Sequence, residues 1–379
     1  MPSYVSSSAA RDSRDRRNNL MPADPVIKPY PLPESELCRT AVRIVRKLRD
    51  AGFDSYLVGG CVRDLVSGKR PKDFDITTSA RPEEVMQLFS RSIPVGASFG
   101  VVTVVEDGNN FEVATFREER DYMDGRRPEK LRYSKTPQED VSRRDFTINA
   151  LLYDVTGGNI IDFTGGLADL RRGVIRTIGD ARTRFSEDYL RMLRAVRFAA
   201  RFGFTLDPEA VGAIRELAGK LTLLSQERIR DELTHMLTGP NPASAFRQLS
   251  EYGILRVVLP ELEAMHGVTQ PEQFHPEGDV FEHTMLLLRH LAYPSEETGW
   301  AALLHDVGKP GCRTVGEDGI PHFYGHDDVG SRLAEQILKR LKMTTALTDH
   351  VTAAVRNHMR FASVQKMRPA KWRRLLADP

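Results

Sequence analysis

Two aspartates one residue apart, Asp73 and Asp75 in KRPKDFDITTS (69–79), are the residues most suggestive of chemistry. Charged residues are depleted from strands, yet DFDITT reads as a short strand, on which side chains two apart point the same way. The pair presses two carboxylates onto one face around Phe74 and requires a positive charge between them. Mg²⁺ meets that need: carboxylates sharing Mg²⁺ suit phosphoryl transfer, where the ion lowers the pKa of an attacking hydroxyl and binds a triphosphate. Just upstream, YLVGGCVRDLVSGK (56–69) reads as a strand, a Gly59–Gly60 turn and a helix from near Cys61. Glycines there let backbone approach a ligand closely, and free N–H groups at a helix start suit phosphate. Alone such a turn is compatible with a plain tight bend; joined to the aspartates it points to a nucleotide.

A second cluster is basic. RTRFSEDYLRMLRAVRFAARFGF (182–204) spaces Asp188, Arg191, Arg194, Arg197 and Arg201 along one helix beside apolar Leu190, Leu193, Val196 and Phe198. Residues three and four apart share a face, so this is either a salt-bridged surface helix or a binding stripe.

These groups must be positioned by more than one domain, since 379 residues exceed a single compact core. A polar start, with Pro-rich PVIKPYPLPESE at its end, reads as a disordered tail over 1–32. From 33 to 178, one amphipathic helix and then short β-rich runs alternating with short helices predict an α/β domain with a mixed sheet. From 179 to 270 the pattern becomes all-helical, and a Gly/Pro/His-rich connection leads into a histidine-bearing helical stretch over 271–379. The fold class expected is α+β.

Net charge is +2, from 54 basic and 52 acidic residues, so bulk charge neither demands nor excludes nucleic acid. Cys38, Cys61 and Cys312 show no metal-binding spacing and fit a reducing, cytoplasmic setting. No run approaches the ~20 apolar residues of a membrane span, and the N-terminus lacks the apolar centre of a secretory signal. No membrane is therefore expected among the partners, and oligomeric state is left open.

The run LVGGCVRDL…KDFDITTSA, together with RRDFTINAL (143–151), resembles the class II tRNA nucleotidyltransferase and bacterial poly(A) polymerase family. The resemblance covers roughly residues 35–379 and is strongest over 56–201. It implies a polymerase-β-like nucleotidyltransferase domain with Asp73 and Asp75 as ligands of Mg²⁺. Gly59, Gly60, Arg63 and Asp64 are implied near the triphosphate, and Arg144, Asp145 and Asn149 at sugar and phosphates. Glu112, on a later expected strand, is the candidate third carboxylate, with a sheet-edge glutamate as the alternative. Glu187, Asp188 and Arg191 match the family's EDxxR base-reading motif. An aspartate accepting from an exocyclic amine and an arginine donating to ring acceptors can address both C and A, and U and G would leave buried charges unpaired. Arg194 and Arg197 are grouped with the nucleotide site.

IIDFTGGLADLRRGVIRTIGD resembles the domain-linking motif through Asp162, Gly165, Gly166 and Asp169, and LLSQERIRDELTHML the helix supporting the base-reading motif through Glu227, Arg228 and Glu232. FEHTMLLLRHL with WAALLHDVGKP resembles the HD phosphohydrolases: His283, His305 and Asp306 are implied ligands of a second divalent metal, extended by His326 and His358. That pattern closes on a later aspartate, for which Asp349 is poorly placed, so this domain is expected to be incomplete at its C-terminus. Ala97 and Ser98 replace the basic pair usual in poly(A) polymerases, and Arg117 with Asp124–Arg127 retains a charged loop usual in enzymes that add the terminal A. The implied activity is addition of CCA, or of its final A, to the 3′ end and acceptor arm of tRNA from CTP and ATP. The alternatives are a poly(A) polymerase, or an HD phosphohydrolase with a non-catalytic RNA-binding N-terminal domain.

Overall fold

A computed structural model describes residues 25–94, 100–122, 128–271, 273, 276–317 and 319–361. Ala97, Ser98 and Asp124–Arg127 lie outside the described residues. The described residues up to Arg184 form one compact body and those from Phe185 onward a second.

The first body opens with strand β1 (Val26–Pro29) and helix α1 (Glu36–Asp50). Ser35 caps α1 by accepting from Cys38 N, Glu36 favours its positive end, and Cys38, Ala41, Ile44, Val45 and Leu48 recur at helical spacing to bury one face. Then follow β2 (Ser55–Val58), α2 (Gly60–Val66), β3 (Asp75–Thr78), α3 (Pro82–Leu88), β4 (Ser92–Ile93), β5 (Val101–Glu106) and β6 (Asn109–Thr115). A hairpin pairs β7 (Arg117–Tyr122) with β8 (Pro128–Tyr133), and α4 (Pro137–Ser142), β9 (Leu152–Asp154), β10 (Asn159–Asp162) and α5 (Gly166–Arg172) complete the body. The eight-stranded sheet runs β1-β10-β9-β2-β3-β6-β5-β4. It is mixed as expected: β3 pairs parallel to β6, and its other pairs are antiparallel. Leu57, Ile76, Val102, Val104, Phe111 and Val113 project into the core beneath α1.

Two details depart from the sequence reading. Residues 26–29, assigned to a tail ending at 32, pair with β10 as an edge strand, all four side chains exposed. Asp73 and Asp75 do not share a strand: β3 begins at Asp75, and Asp73 lies in the irregular segment before it.

The second body is helical: α6 (Ala181–Glu187) leads into it, followed by α7 (Leu190–Phe202), α8 (Pro208–Leu217), α9 (Gln226–Leu237) and α10 (Pro242–Glu251). After the short α11 (Leu255–Val258) and α12 (Pro260–Glu263) come α13 (Val280–Arg289), α14 (Glu296–Leu304), α15 (Lys309–Cys312), α16 (His326–Arg340) and α17 (Thr345–Phe361). The helices on either side of residue 270 belong to one compact body. Fully buried Trp300 of α14 donates its indole N–H to Thr234 Oγ1 of α9 at 3.2 Å. Among the described residues no helix is long and apolar enough to cross a membrane.

Asp162 supports the corner after β10. Its Oδ1 accepts from the backbone N–H groups of Thr164, Gly165 and Gly166 at 2.9–3.0 Å, and its Oδ2 from Leu167 at 2.9 Å. Asp162→Ala leaves these donors, those of Gly166 and Leu167 buried, without an acceptor, and unpaired buried groups cost roughly 1–3 kcal/mol each before relaxation. The expected loss is roughly 2–4 kcal/mol, read as a lowered denaturant midpoint.

Candidate active site

β2 ends at Val58 and α2 starts at Gly60, so Gly59 must reverse the chain; its φ of 75° and ψ of −126° lie where side chains are strained. A Cβ on Gly59 would stand 3.1 Å from Arg144 Nη1 and 4.0 Å from Asp75 Oδ2. The turn thus leaves backbone open beneath a guanidinium and a carboxylate.

Register brings the carboxylates together. Val58 pairs with Asp75 across β2–β3, and Ile76 with Val113 across β3–β6, which sets Asp75 beside Glu112. β6 lies between β3 and β5, so Glu112 is not at a sheet edge. Burial, then the charges of Asp73 and Glu112, raise the Asp75 carboxyl to about 6 against the opposing pull of Arg144 and Arg63. A half-buried carboxylate destabilised by two others is a donor set that a divalent cation satisfies, and oxygen donors alone suit a hard ion.

Around this triad the RRDFTINA segment supplies an ordered network. Buried Arg63 donates to Asn149 Oδ1 at 2.6 Å and to Asp64 Oδ1 at 2.8 and 3.0 Å, and Asn149 Nδ2 donates to Asp145 Oδ1 at 3.0 Å. Gly59, Arg63, Asp64, Asp73, Asp75, Glu112, Arg144, Asp145 and Asn149 thus fall in one neighbourhood. Asp140, which sequence reasoning missed, anchors it from below. Fully buried, it pairs with Arg143 Nη2 at 2.8 Å and Arg144 Nη2 at 3.4 Å and accepts from Thr77 Oγ1 at 3.0 Å. The available signal was an acid three and four residues before two arginines at a helix start.

Burial alone would push the Asp140 carboxyl up, but Arg143 and Arg144 outweigh it and hold the group below its ordinary 3.8. A depressed folded-state value adds stability above the unfolded value and loses it as pH falls through the folded one. Asp140→Asn should therefore show a shallower loss of stability below about pH 4 in acid titrations followed by circular dichroism.

In the second body, Asp188 Oδ1 accepts from Leu190 N at 3.0 Å and Oδ2 from Arg228 Nη2 at 2.7 Å. Arg191, mostly buried, reaches Glu187 Oε2 at 2.5 Å. Glu232 of α9 pairs with Arg197 Nε at 2.7 Å and lies 4.0 Å from Arg194 Nη1. Arg228 thus holds Asp188, and Glu232 faces the arginines of α7.

The histidines also converge. Asp306 Oδ2 lies 3.1 Å from His305 Nε2 and 3.7 Å from His283 Nε2, and Oδ1 lies 3.4 and 3.5 Å from the Nε2 atoms of His326 and His358. The Gly308–Gly330 approach makes this possible: a Cβ on Gly308 would fall 2.2 Å from His326 O. Imidazoles around one buried carboxylate fit a divalent metal. Asp349 is not in either donor group.

A mixed sheet with three carboxylates gathered beside a glycine turn, followed in the chain by a helical body with a histidine–aspartate cluster, defines a nucleotidyltransferase with an HD domain. The comparisons agree: residues 55–176 match the poly A polymerase head domain, 203–265 the probable RNA and SrmB-binding site of polymerase A, and 279–376 the HD domain. The chain belongs to the CCA-adding enzyme family. It is 36% identical over 318 residues to the CCA-adding enzyme of Lactiplantibacillus plantarum, covering 84% of this chain and 70% of that one. It is 46% identical over 268 residues to that of Geobacillus stearothermophilus, covering 71% and 63%. The crystal structure of the Bacillus stearothermophilus CCA-adding enzyme in complex with CTP superposes with a TM-score of 0.68 at 33% identity, covering 89% of this chain and 73% of that one. Nucleotidyl transfer and the HD domain both imply dependence on divalent metal.

Proposed function

We propose that this chain adds CCA, or its terminal A, to the 3′ end of tRNA from CTP and ATP, releasing pyrophosphate. The observation that carries the reading is the convergence of Asp73, Asp75 and Glu112 at the Gly59 turn, under Arg144. Asp73 and Asp75 would hold Mg²⁺, which would supply positive charge favouring an ionised ribose hydroxyl and stabilising charge on the α-phosphate. Glu112 completes the carboxylate set. Gly59 and Gly60 leave room for the phosphates, Arg63 and Arg144 bind them, and Asp64, Asp145 and Asn149 keep those arginines and the sugar oriented.

Asp188 and Arg191 read the base. Arg228 keeps Asp188 fixed as an acceptor, which suits the amino groups of C and A. Arg194 and Arg197 extend the nucleotide site along α7. The helical body receives the acceptor arm through shape and phosphate contacts, in a cytoplasmic setting. The deciding assay incubates purified protein, Mg²⁺ and labelled tRNA ending before CCA, after C and after CC, with CTP and ATP separately and together. Completion to CCA on all three establishes CCA addition. Extension of only the CC-ended RNA makes it an A-adder, and a long ladder with ATP alone makes it a poly(A) polymerase.

A further inference from the structure

We propose that Arg184 is a positioning residue for nucleotide addition: its guanidinium ties together the backbone carbonyls from which Arg144 is aimed at the Gly59 turn. Arg184 stands one turn into α6, half-buried, as the last residue of the first body. It falls between the stretches that match the head domain and the RNA-binding region. This role extends the nucleotidyl transfer reading, on which it rests.

Arg144 has little to hold its side chain. Asp140 Oδ1 grips Arg143 through Nε at 2.9 Å and Nη2 at 2.8 Å, whereas Asp140 Oδ2 stands 3.4 Å from Arg144 Nη2. Arg144 Nε is buried and has no hydrogen-bond partner among the described residues. A side chain anchored this loosely takes its direction from its backbone. That backbone leaves α4 just past its last turn, where helix carbonyls lack partners within the helix.

Arg184 supplies partners there. Its Nη2 donates to Ser142 O at 2.9 Å, its Nη1 stands 3.5 Å from Arg143 O, and its Nε donates to Ile178 O at 3.0 Å. The third carbonyl belongs to a segment running beside RRDFTINA: Thr147 N donates to Arg176 O at 3.0 Å and Ile178 N to Asp145 O at 3.3 Å. One planar fork thus closes residues 142–147 against 176–178. The fork is itself placed by Asp180 at the start of α6, whose Oδ1 accepts from Thr183 N at 2.8 Å and from Thr183 Oγ1 at 2.7 Å. A lysine ammonium is a single point and does not span these carbonyls.

The test is a double-mutant cycle, read by enzyme-excess single-turnover addition from CTP to labelled tRNA ending before CCA, across a range of CTP concentrations. Arg184→Gln is expected to lower the apparent second-order rate constant ~10–100-fold in otherwise unmodified protein, the loss that a misplaced active-site group brings, but less than ~3-fold in an Arg144→Ala background. Its division between maximal rate and half-saturating CTP should match that of Arg144→Ala alone, which a general loosening of the fold would not reproduce. Arg184→Lys keeps the charge without the fork and should stay within ~3-fold of Arg184→Gln; denaturant melts check folding, and the lysine variant carries the cycle if the glutamine variant does not fold. An unchanged rate constant in Arg184→Gln, an equal fractional loss in both backgrounds, or full activity in Arg184→Lys would each overturn the proposal and leave nucleotidyl transfer standing. No addition by the unmodified protein would instead overturn the nucleotidyl transfer reading, and this role with it.

Discussion

Asp75→Asn is expected to lower the rate of nucleotide addition by about 10³-fold or more while leaving the protein folded. The substitution keeps the shape of the side chain and removes the charge at the centre of the triad, where Asp73 and Glu112 already raise the carboxyl to about 6. In the folded state that charge is a burden: burial and two neighbouring anions oppose it, so its neutralisation should not reduce stability and is expected to increase it slightly. Catalysis is affected in the opposite way, since losing a charge that acts on the transition state costs several kcal/mol of activation free energy. Single-turnover addition of one nucleotide to labelled tRNA, beside a denaturant melt of the same preparation, separates the two. A variant within tenfold of the unmodified rate would remove Asp75 from the chemistry.

The second large effect concerns choice rather than rate. Asp188→Asn replaces an acceptor-only group with an amide that also donates, and Arg228, 2.7 Å from Asp188 Oδ2, loses its ionic partner. One well-placed pair of base contacts is worth about 1–3 kcal/mol of discrimination. The preference for CTP over UTP, read as a ratio of kcat/KM values, should therefore fall by ~10–100-fold, with a smaller loss in the rate of CTP addition. An unchanged ratio would show that the base is read elsewhere. An equal loss for every nucleotide would assign Asp188 to holding α7 in place.

What the sequence made legible was chemistry concentrated in short runs. Gly59, Gly60, Asp73 and Asp75 lie within 17 residues, and RRDFTINA is continuous, so residue type and spacing sufficed. Glu112 was within reach because strand alternation in NNFEVAT faces it away from buried Phe111 and Val113. Asp140 was not, because its role comes from burial beneath two arginines, and PQEDVS looks like an ordinary helix start. Strand β1 escaped because VIKP is exposed at all four positions and ends in proline, which gives no alternation to detect. The meeting of His326 and His358, 32 residues apart, depends on how α16 packs against α17. One-dimensional periodicity carries no information on that.

The parallel pairing of β3 with β6 has a bearing on when the chain can hold a cation. Asp75 and Glu112 are 37 positions apart and become neighbours only after the intervening α3, β4 and β5 have crossed over. A growing or unfolded chain therefore presents these acids singly, with little affinity for a divalent ion. Whatever binds the assembled triad binds only native protein, so each tenfold rise in free ion above its dissociation constant adds about 1.4 kcal/mol of resistance to unfolding. The ion that serves turnover would then also act as a thermodynamic clasp on the sheet, released whenever the two strands part.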